Sequence, residues 1–135
     1  MNIDSKRDSV STGTHWEALG GYARAVRIGE RILVSGTTAT GPDGVVGIGD
    51  PAAQTRFILD RIETAIKQLG GTLADVVRTR IYLRHVEHTE PVARVHGERF
   101  GNIRPANTLV QAGLVGDEYL VEIEAEAMIG AGDAL

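Results

Sequence analysis

Three glutamates at alternate positions, Glu122, Glu124 and Glu126, form the most chemically loaded stretch of the chain. They alternate with Val121, Ile123, Ala125 and Ala127, which puts the carboxylates on one face of a β-strand. A desolvated carboxyl beside a like charge holds its proton more tightly, which suits proton transfer. The plain alternative is an ordinary acidic strand face. A second cluster, His85-Val86-Glu87-His88, offers two imidazoles and a carboxylate. A metal site needs a third or fourth convergent ligand, and none is evident, so this reads as a solvated loop and no metal is expected. Ser35 is the only serine beyond the N-terminal segment, and no Ser-His-Asp arrangement can be argued around it. Glycines 41, 44, 47 and 49 suggest a phosphate cradle, but neither Gly-Lys-Ser/Thr nor G-x-G-x-x-G follows. Hairpin and connector chemistry accounts for them.

Composition narrows the classes further. The 135 residues fit one domain. With no cysteine there is no disulfide, thiolate nucleophile or thiolate ligand. Net charge is −4, and of fourteen basic residues only Lys6 and Lys67 are lysines. The arginines are scattered, which disfavours nucleic-acid binding. No apolar run reaches the length of a membrane span, and the polar N-terminus lacks a signal-peptide core. A cytoplasmic location without membrane contact is the default expectation.

These side chains need elements to position them. Residues 1–14 read as a flexible lead-in or edge arm, and residues 15–135 as a single domain. Tyr22–Ile28 reads as a strand, and Arg31–Ser35 as a short buried one. Gly41-Pro42-Asp43-Gly44 is a turn. Asp50 caps a helix that carries Pro51 at its first position. Phe57, Ile58, Ile62, Ala65, Ile66 and Leu69 recur on its apolar face, and Gly70-Gly71 stops it. Asp75–Val86 alternates as a strand, with Val77, Thr79, Ile81 and Leu83 on one face and Val76, Arg78, Arg80, Tyr82 and Arg84 on the other. A second helix, capped by Thr89 before Pro91, runs to Phe100 with Val92, Val95 and Phe100 inward. Asn107–Ala112 and Tyr119–Ile129 close the chain as strands. The expected class is α+β, a mixed sheet with two helices on one face. Its other face is charged, and a homo-oligomer would bury it.

Several segments resemble one family. Tyr22-Ala23-Arg24-Ala25-Val26 is similar to a Tyr-x-x-Ala-Val strand. Ser35-Gly36-Thr37 resembles Ser-Gly-Gln, and Gln54-Thr55 sits where the first helix carries Gln-Thr or Gln-Ala. Asp75-Val76-Val77-Arg78-Thr79-Arg80-Ile81-Tyr82-Leu83 and Val121-Glu122-Ile123-Glu124-Ala125-Glu126-Ala127 resemble two further strand motifs. Over residues 20–129 the chain resembles the Rid/YjgF family, relatives of the RutC-like imine and enamine deaminases.

The resemblance implies a chorismate-mutase-like homotrimer with a small-molecule cleft at each subunit interface and no cofactor. It implies hydrolysis of enamines or imines, with Glu122 orienting water. It places Tyr22, Ser35, Gly36 and Thr37 in the cleft, and Asn107 and Thr108 among the substrate-binding positions. Asn107 is the main departure, since the family reads Pro-Ala-Arg-Ser/Thr where this chain reads Pro105-Ala106-Asn107-Thr108. An asparagine can neither neutralise a carboxylate nor grip it with a planar fork. Arg104, three residues earlier, is a candidate substitute, although an extended chain would point it to the opposite face. Ala93, where the family often has asparagine, and Thr37 in place of glutamine add to a remodelled pocket. His96 is a structural histidine or approaches a neighbour's cleft. Two functions follow: hydrolysis of a non-standard substrate, or non-catalytic binding of a small metabolite. A ribonuclease or translation inhibitor is weaker, because no basic aromatic groove is evident.

Overall fold

The computed structural model describes residues 6–135. Of the segment read as a lead-in or edge arm, Met1–Ser5 lie outside the described residues, while Arg7–Val10 form strand β1. Helix α1 (His15–Gly20) follows, then β2 (Ala25–Ile28), β3 (Arg31–Thr37), the small β4 (Thr40–Gly41) and β5 (Gly44–Val45), and helix α2 (Pro51–Gln68). Strand β6 (Val76–Leu83), helix α3 (Thr89–Phe100), β7 (Ala106–Gln111) and β8 (Val121–Met128) complete the order. The main sheet runs β1-β2-β3-β8-β6-β7. Its pairs are antiparallel except β6 with β7, which α3 joins as a parallel crossover. This is the α+β, chorismate-mutase-like layout, a mixed sheet with helices α2 and α3 packed over one face.

Helix α2 begins where its sequence says it should. The Asp50 carboxylate accepts the Ala53 amide at 3.0 Å, and Pro51 fills the first position. Ile58, Leu59, Ile62 and Ile66 are buried against Ile32, Val34 and Ile123 of the sheet. Leu59 thus belongs to the apolar face, while Phe57 sits at its margin with the Arg61 guanidinium over its ring at 5.0 Å. One polar residue joins this packed layer. Gln54 is fully buried; its amide donates to the carbonyls of Gly47 (3.1 Å) and Glu118 (3.0 Å) and accepts the Leu120 amide (2.9 Å).

Several expected details differ for identifiable reasons. β2 starts at Ala25 because Tyr22–Arg24 lead out of α1. On β6 a bulge sets two steps, Val76 to Arg78, against one on β8, Ala127 to Glu126. The extra residue breaks the alternation, so Val76 is 2% exposed and Val77 37%. α3 is not capped by the Thr89 side chain; that hydroxyl donates to the Val86 carbonyl at 2.6 Å, and His88 holds the cap position. On β8 the alternation holds: Val121, Ile123, Ala125 and Ala127 are buried, and the three glutamates lie on the uncovered face.

That uncovered face is charged and largely self-neutralised. Arg80 pairs with Glu124 at 3.8 Å and Glu126 at 3.3 Å, and Arg31 reaches Glu126 at 3.8 Å. The Tyr82 hydroxyl donates to Glu124.

Candidate functional site

A cavity of about 980 Å³ opens beside the ends of β3 and β8. Such a volume suits a small-molecule site. Glu122, Arg24, Gly36 and Thr37 line it, together with Tyr22, Tyr119, Arg61 and the α1 side chains Trp16 and Leu19. A break in the pairing of β3 and β8 shapes the site. Between Val34 and Thr37, β3 takes three steps where β8 takes two, from Ala125 to Ile123. This bulge at Ser35 and Gly36 turns the Gly36 Cα toward Glu122.

Gly36 leaves the space that its neighbour's carboxylate occupies. A Cβ built on it would lie 2.3 Å from Glu122 Oε2, far inside van der Waals contact. The glycine therefore makes room for the carboxylate itself. Glu122 is half-buried, and among the described residues its carboxylate has neither a hydrogen bond nor an ion pair. Burial raises its pKa above the ordinary glutamate value; the Arg24 guanidinium opposes that rise, and Glu124 adds to it.

Arg24 is 7% exposed. Its Nη1 donates to the Gly36 carbonyl (2.6 Å) and Thr37 Oγ1 (3.2 Å), and its Nη2 reaches Glu17 Oε2 at 3.4 Å. Glu17, 4% exposed, also accepts from Ser11 Oγ (2.7 Å), the Thr12 amide (3.0 Å), Thr12 Oγ1 (2.5 Å) and Thr14 Oγ1 (2.9 Å). These bonds outweigh the desolvation that would raise its pKa and lower it to about 2. They also bind the Ser11–Thr14 loop and α1 to the cavity wall.

The candidate residues from the sequence divide into two groups. Tyr22, Gly36, Thr37 and Glu122 meet in the cavity. Ser35 does not line it: its hydroxyl donates to the Ala23 carbonyl at 2.7 Å, and it borders a neighbouring depression that Tyr22 shares. Asn107, Thr108 and Arg104 lie apart, at the β7 edge. The Asn107 amide donates to Thr79 Oγ1 at 3.0 Å, on the helix-covered face of the sheet. Thr79 Oγ1 lies 2.8 Å from His96 Nε2, and the His96 ring stacks on Phe100 at 4.6 Å. Burial lowers the His96 pKa. Thr108 accepts from Arg78 at 3.2 Å on the opposite face. Arg104 is exposed, with φ 54°, so the facing rule for an extended chain does not apply to it. Within one chain it is not near Glu122. The rings of His85 and His88 meet edge to face at 5.4 Å; among the described residues no three metal-ligating side chains converge.

Arg24, Trp16, Arg61 and Tyr119 are cavity residues that the sequence reading did not single out. One signal was available: Thr14 followed three residues later by Glu17 has the spacing of a capping box. Thr14 does cap α1, accepting the Glu17 amide on Oγ1 at 3.2 Å, but the Glu17 carboxylate takes the Thr14 hydroxyl instead of its backbone amide. Tyr119, whose hydroxyl lies 2.7 Å from Thr40 Oγ1, has no such local mark.

Comparison with known proteins agrees with this fold. Residues 12–129 match the family described as Endoribonuclease L-PSP. An uncharacterized protein of Streptomyces coelicolor is 40% identical over 126 residues, 93% of this chain and 94% of that one. A RutC family protein of Pyrococcus abyssi is 30% identical over 81% of this chain and 87% of its own length. The crystal structure of a YjgF family member from Mycobacterium tuberculosis superposes with a TM-score of 0.84 at 47% identity, covering 92% of this chain and 100% of the other. The chain belongs to the Rid/YjgF family, the group matched as Endoribonuclease L-PSP. Among the described residues no helix is long and apolar enough to cross a membrane.

Proposed function

We propose that this protein hydrolyses a reactive imine or enamine in the cavity beside β3 and β8, with Glu122 as the group that orients water. One observation carries the reading: of three glutamates on one strand face, Glu124 and Glu126 are paired, and Glu122 alone faces the cavity unpaired. In this reaction water adds to the imine carbon, and Glu122 takes one of the water's protons and returns it to nitrogen, giving a carbinolamine. Glu122 then carries the carbinolamine hydroxyl proton to nitrogen as the C–N bond breaks, releasing a carbonyl compound and ammonia. A raised pKa makes the carboxylate a better base for that exchange. No cofactor is needed.

The reading includes a homotrimer. Asn107, Thr108 and Arg104 lie on the exposed β7 edge, away from Glu122, so they serve a cleft only if a neighbouring copy presents that edge to the cavity mouth. A cytoplasmic location goes with it. The position where the family carries an arginine favours a second reading, in which the cleft binds a small metabolite without turnover: the Asn107 amide is engaged by Thr79 and brings no charge. A ribonuclease fits less well with a net charge of −4 and a carboxylate at the cavity floor.

A dehydratase that generates 2-aminoacrylate and 2-iminobutyrate in situ supplies the test. Keto-acid release faster than the buffer rate, lost in Glu122→Gln, is the expected result. Turnover unchanged in Glu122→Gln overturns the assignment. An inert wild type that gains activity as Asn107→Arg points to the binding reading, which thermal stabilisation by a metabolite would then support.

A further inference from the structure

The cavity holds a buried guanidinium beside the candidate carboxylate, without direct contact. Gly36 links them. Its carbonyl accepts from Arg24 Nη1 at 2.6 Å, and its Cα faces Glu122 so closely that a methyl group would lie 2.3 Å from Oε2. Arg24 also holds the bulge that makes this approach possible. Its carbonyl accepts the Ser35 amide at 2.9 Å, and its Nη1 reaches Thr37 Oγ1, whose own proton goes to the Ser35 carbonyl at 2.8 Å. Glu17, fixed by four further hydrogen bonds, holds the guanidinium in place from behind.

We propose that Arg24 is the positioning residue for the Glu122 carboxylate, an inference that rests on reading Glu122 as the water-orienting group. Arg24 does this in two ways. It fixes the Ser35–Gly36 bulge beneath the carboxylate, and it sets a cation near a carboxylate that has no hydrogen-bond or ion-pair partner among the described residues. Burial and Glu124 favour the protonated acid, and the guanidinium favours the ionised base. The other charged or titratable groups around Glu122 are accounted for. On β8, Glu124 is paired with Arg80. On β6, Tyr82 stands opposite Glu122 in register but donates to Glu124. From the cavity walls come Arg61, whose Nη2 is bonded to the Thr40 carbonyl at 3.1 Å, His15, Tyr22, and Tyr119 bonded to Thr40.

A carbon-13 carboxyl titration of Glu122 tests this without a substrate, with the resonance identified by its absence from Glu122→Gln. In Arg24→Gln the Glu122 midpoint moves to higher pH, and in Arg24→Lys, which keeps the charge but not the fork, it moves less. Removing Arg24 alone strands the buried Glu17 charge. The double variant Glu17→Gln/Arg24→Gln removes both charges and is the second arm, with an upward movement still expected but a smaller one, because loss of the more distant Glu17 anion partly offsets loss of the cation. A midpoint equal to wild type in either folded variant overturns the proposal and leaves Arg24 a purely structural residue. The two readings fail separately. A midpoint that moves in a protein that hydrolyses no imine supports the link between Arg24 and Glu122 while the hydrolytic function fails. Hydrolysis lost in Glu122→Gln, with the midpoint and the acid limb of the rate profile unmoved in Arg24→Gln, sinks this inference alone.

Discussion

The cavity beside β3 and β8 and the outer edge at β7 hold the two groups of candidate residues, and they are built on opposite plans. In the cavity, charged side chains are buried and interlocked: Glu17 holds Arg24, Arg24 holds the Gly36 carbonyl, and Gly36 makes room for Glu122. At the β7 edge, Ala106, Asn107, Thr108, Val110 and Gln111 are exposed, and Asn107 makes a single neutral hydrogen bond. Preorganisation is therefore concentrated in one place. Under the proposed function, a ligand would meet a preorganised floor within one chain, and whatever the β7 edge adds would depend on what comes against it.

Three substitutions test that contrast, in order of expected effect. Gly36→Ala puts a methyl group where Glu122 Oε2 stands. Imine hydrolysis is expected to fall by about 10²-fold or more, the scale of a displaced general base; a keto-acid assay checks it, and activity near wild type would show that the carboxylate's place is not decisive. Glu17→Gln acts on stability. The Glu17 pKa falls from 4.5 to about 2 on folding, so its contribution is full above 4.5 and is lost as pH drops through 2. The difference corresponds to roughly 3 kcal/mol. Urea midpoints measured down that pH range should fall steeply for wild type and less steeply for Glu17→Gln. Asn107→Ala should be mildest: about 1 kcal/mol or less in chemical denaturation, because Thr79 keeps His96 as a partner. It should leave the Glu122 titration unmoved, and any displacement would mean that the two regions communicate.

What the sequence revealed follows from how local each signal is. Helix α2 was legible because its cap, its proline and its apolar stripe all lie within its own residues. β8 was legible because nothing interrupts its alternation. β6 was misread at Val76 and Val77 because a bulge is defined by pairing with another strand, not by local pattern. The candidate site was half legible. Glu122, Gly36, Thr37 and Tyr22 came from the family resemblance and do share the cavity. Arg24 stood inside one of the quoted motifs, yet its importance lies in partners seven to thirteen residues away. Arg104 was placed by a rule for extended chains, and its left-handed turn lies outside that rule.

Gln54 carries one more consequence. A single side chain of α2 closes hydrogen bonds to two separate loops, at Gly47 and at Glu118 to Leu120, and the second loop carries the cavity residue Tyr119. Those loops cannot loosen independently without stranding a buried amide. In hydrogen exchange the Leu120 amide should therefore be protected as strongly as the helix that anchors it, far beyond what its loop position suggests. One cavity wall thus takes its rigidity from the hydrophobic core, and a substitution such as Gln54→Leu should let that wall open long before the core itself unfolds.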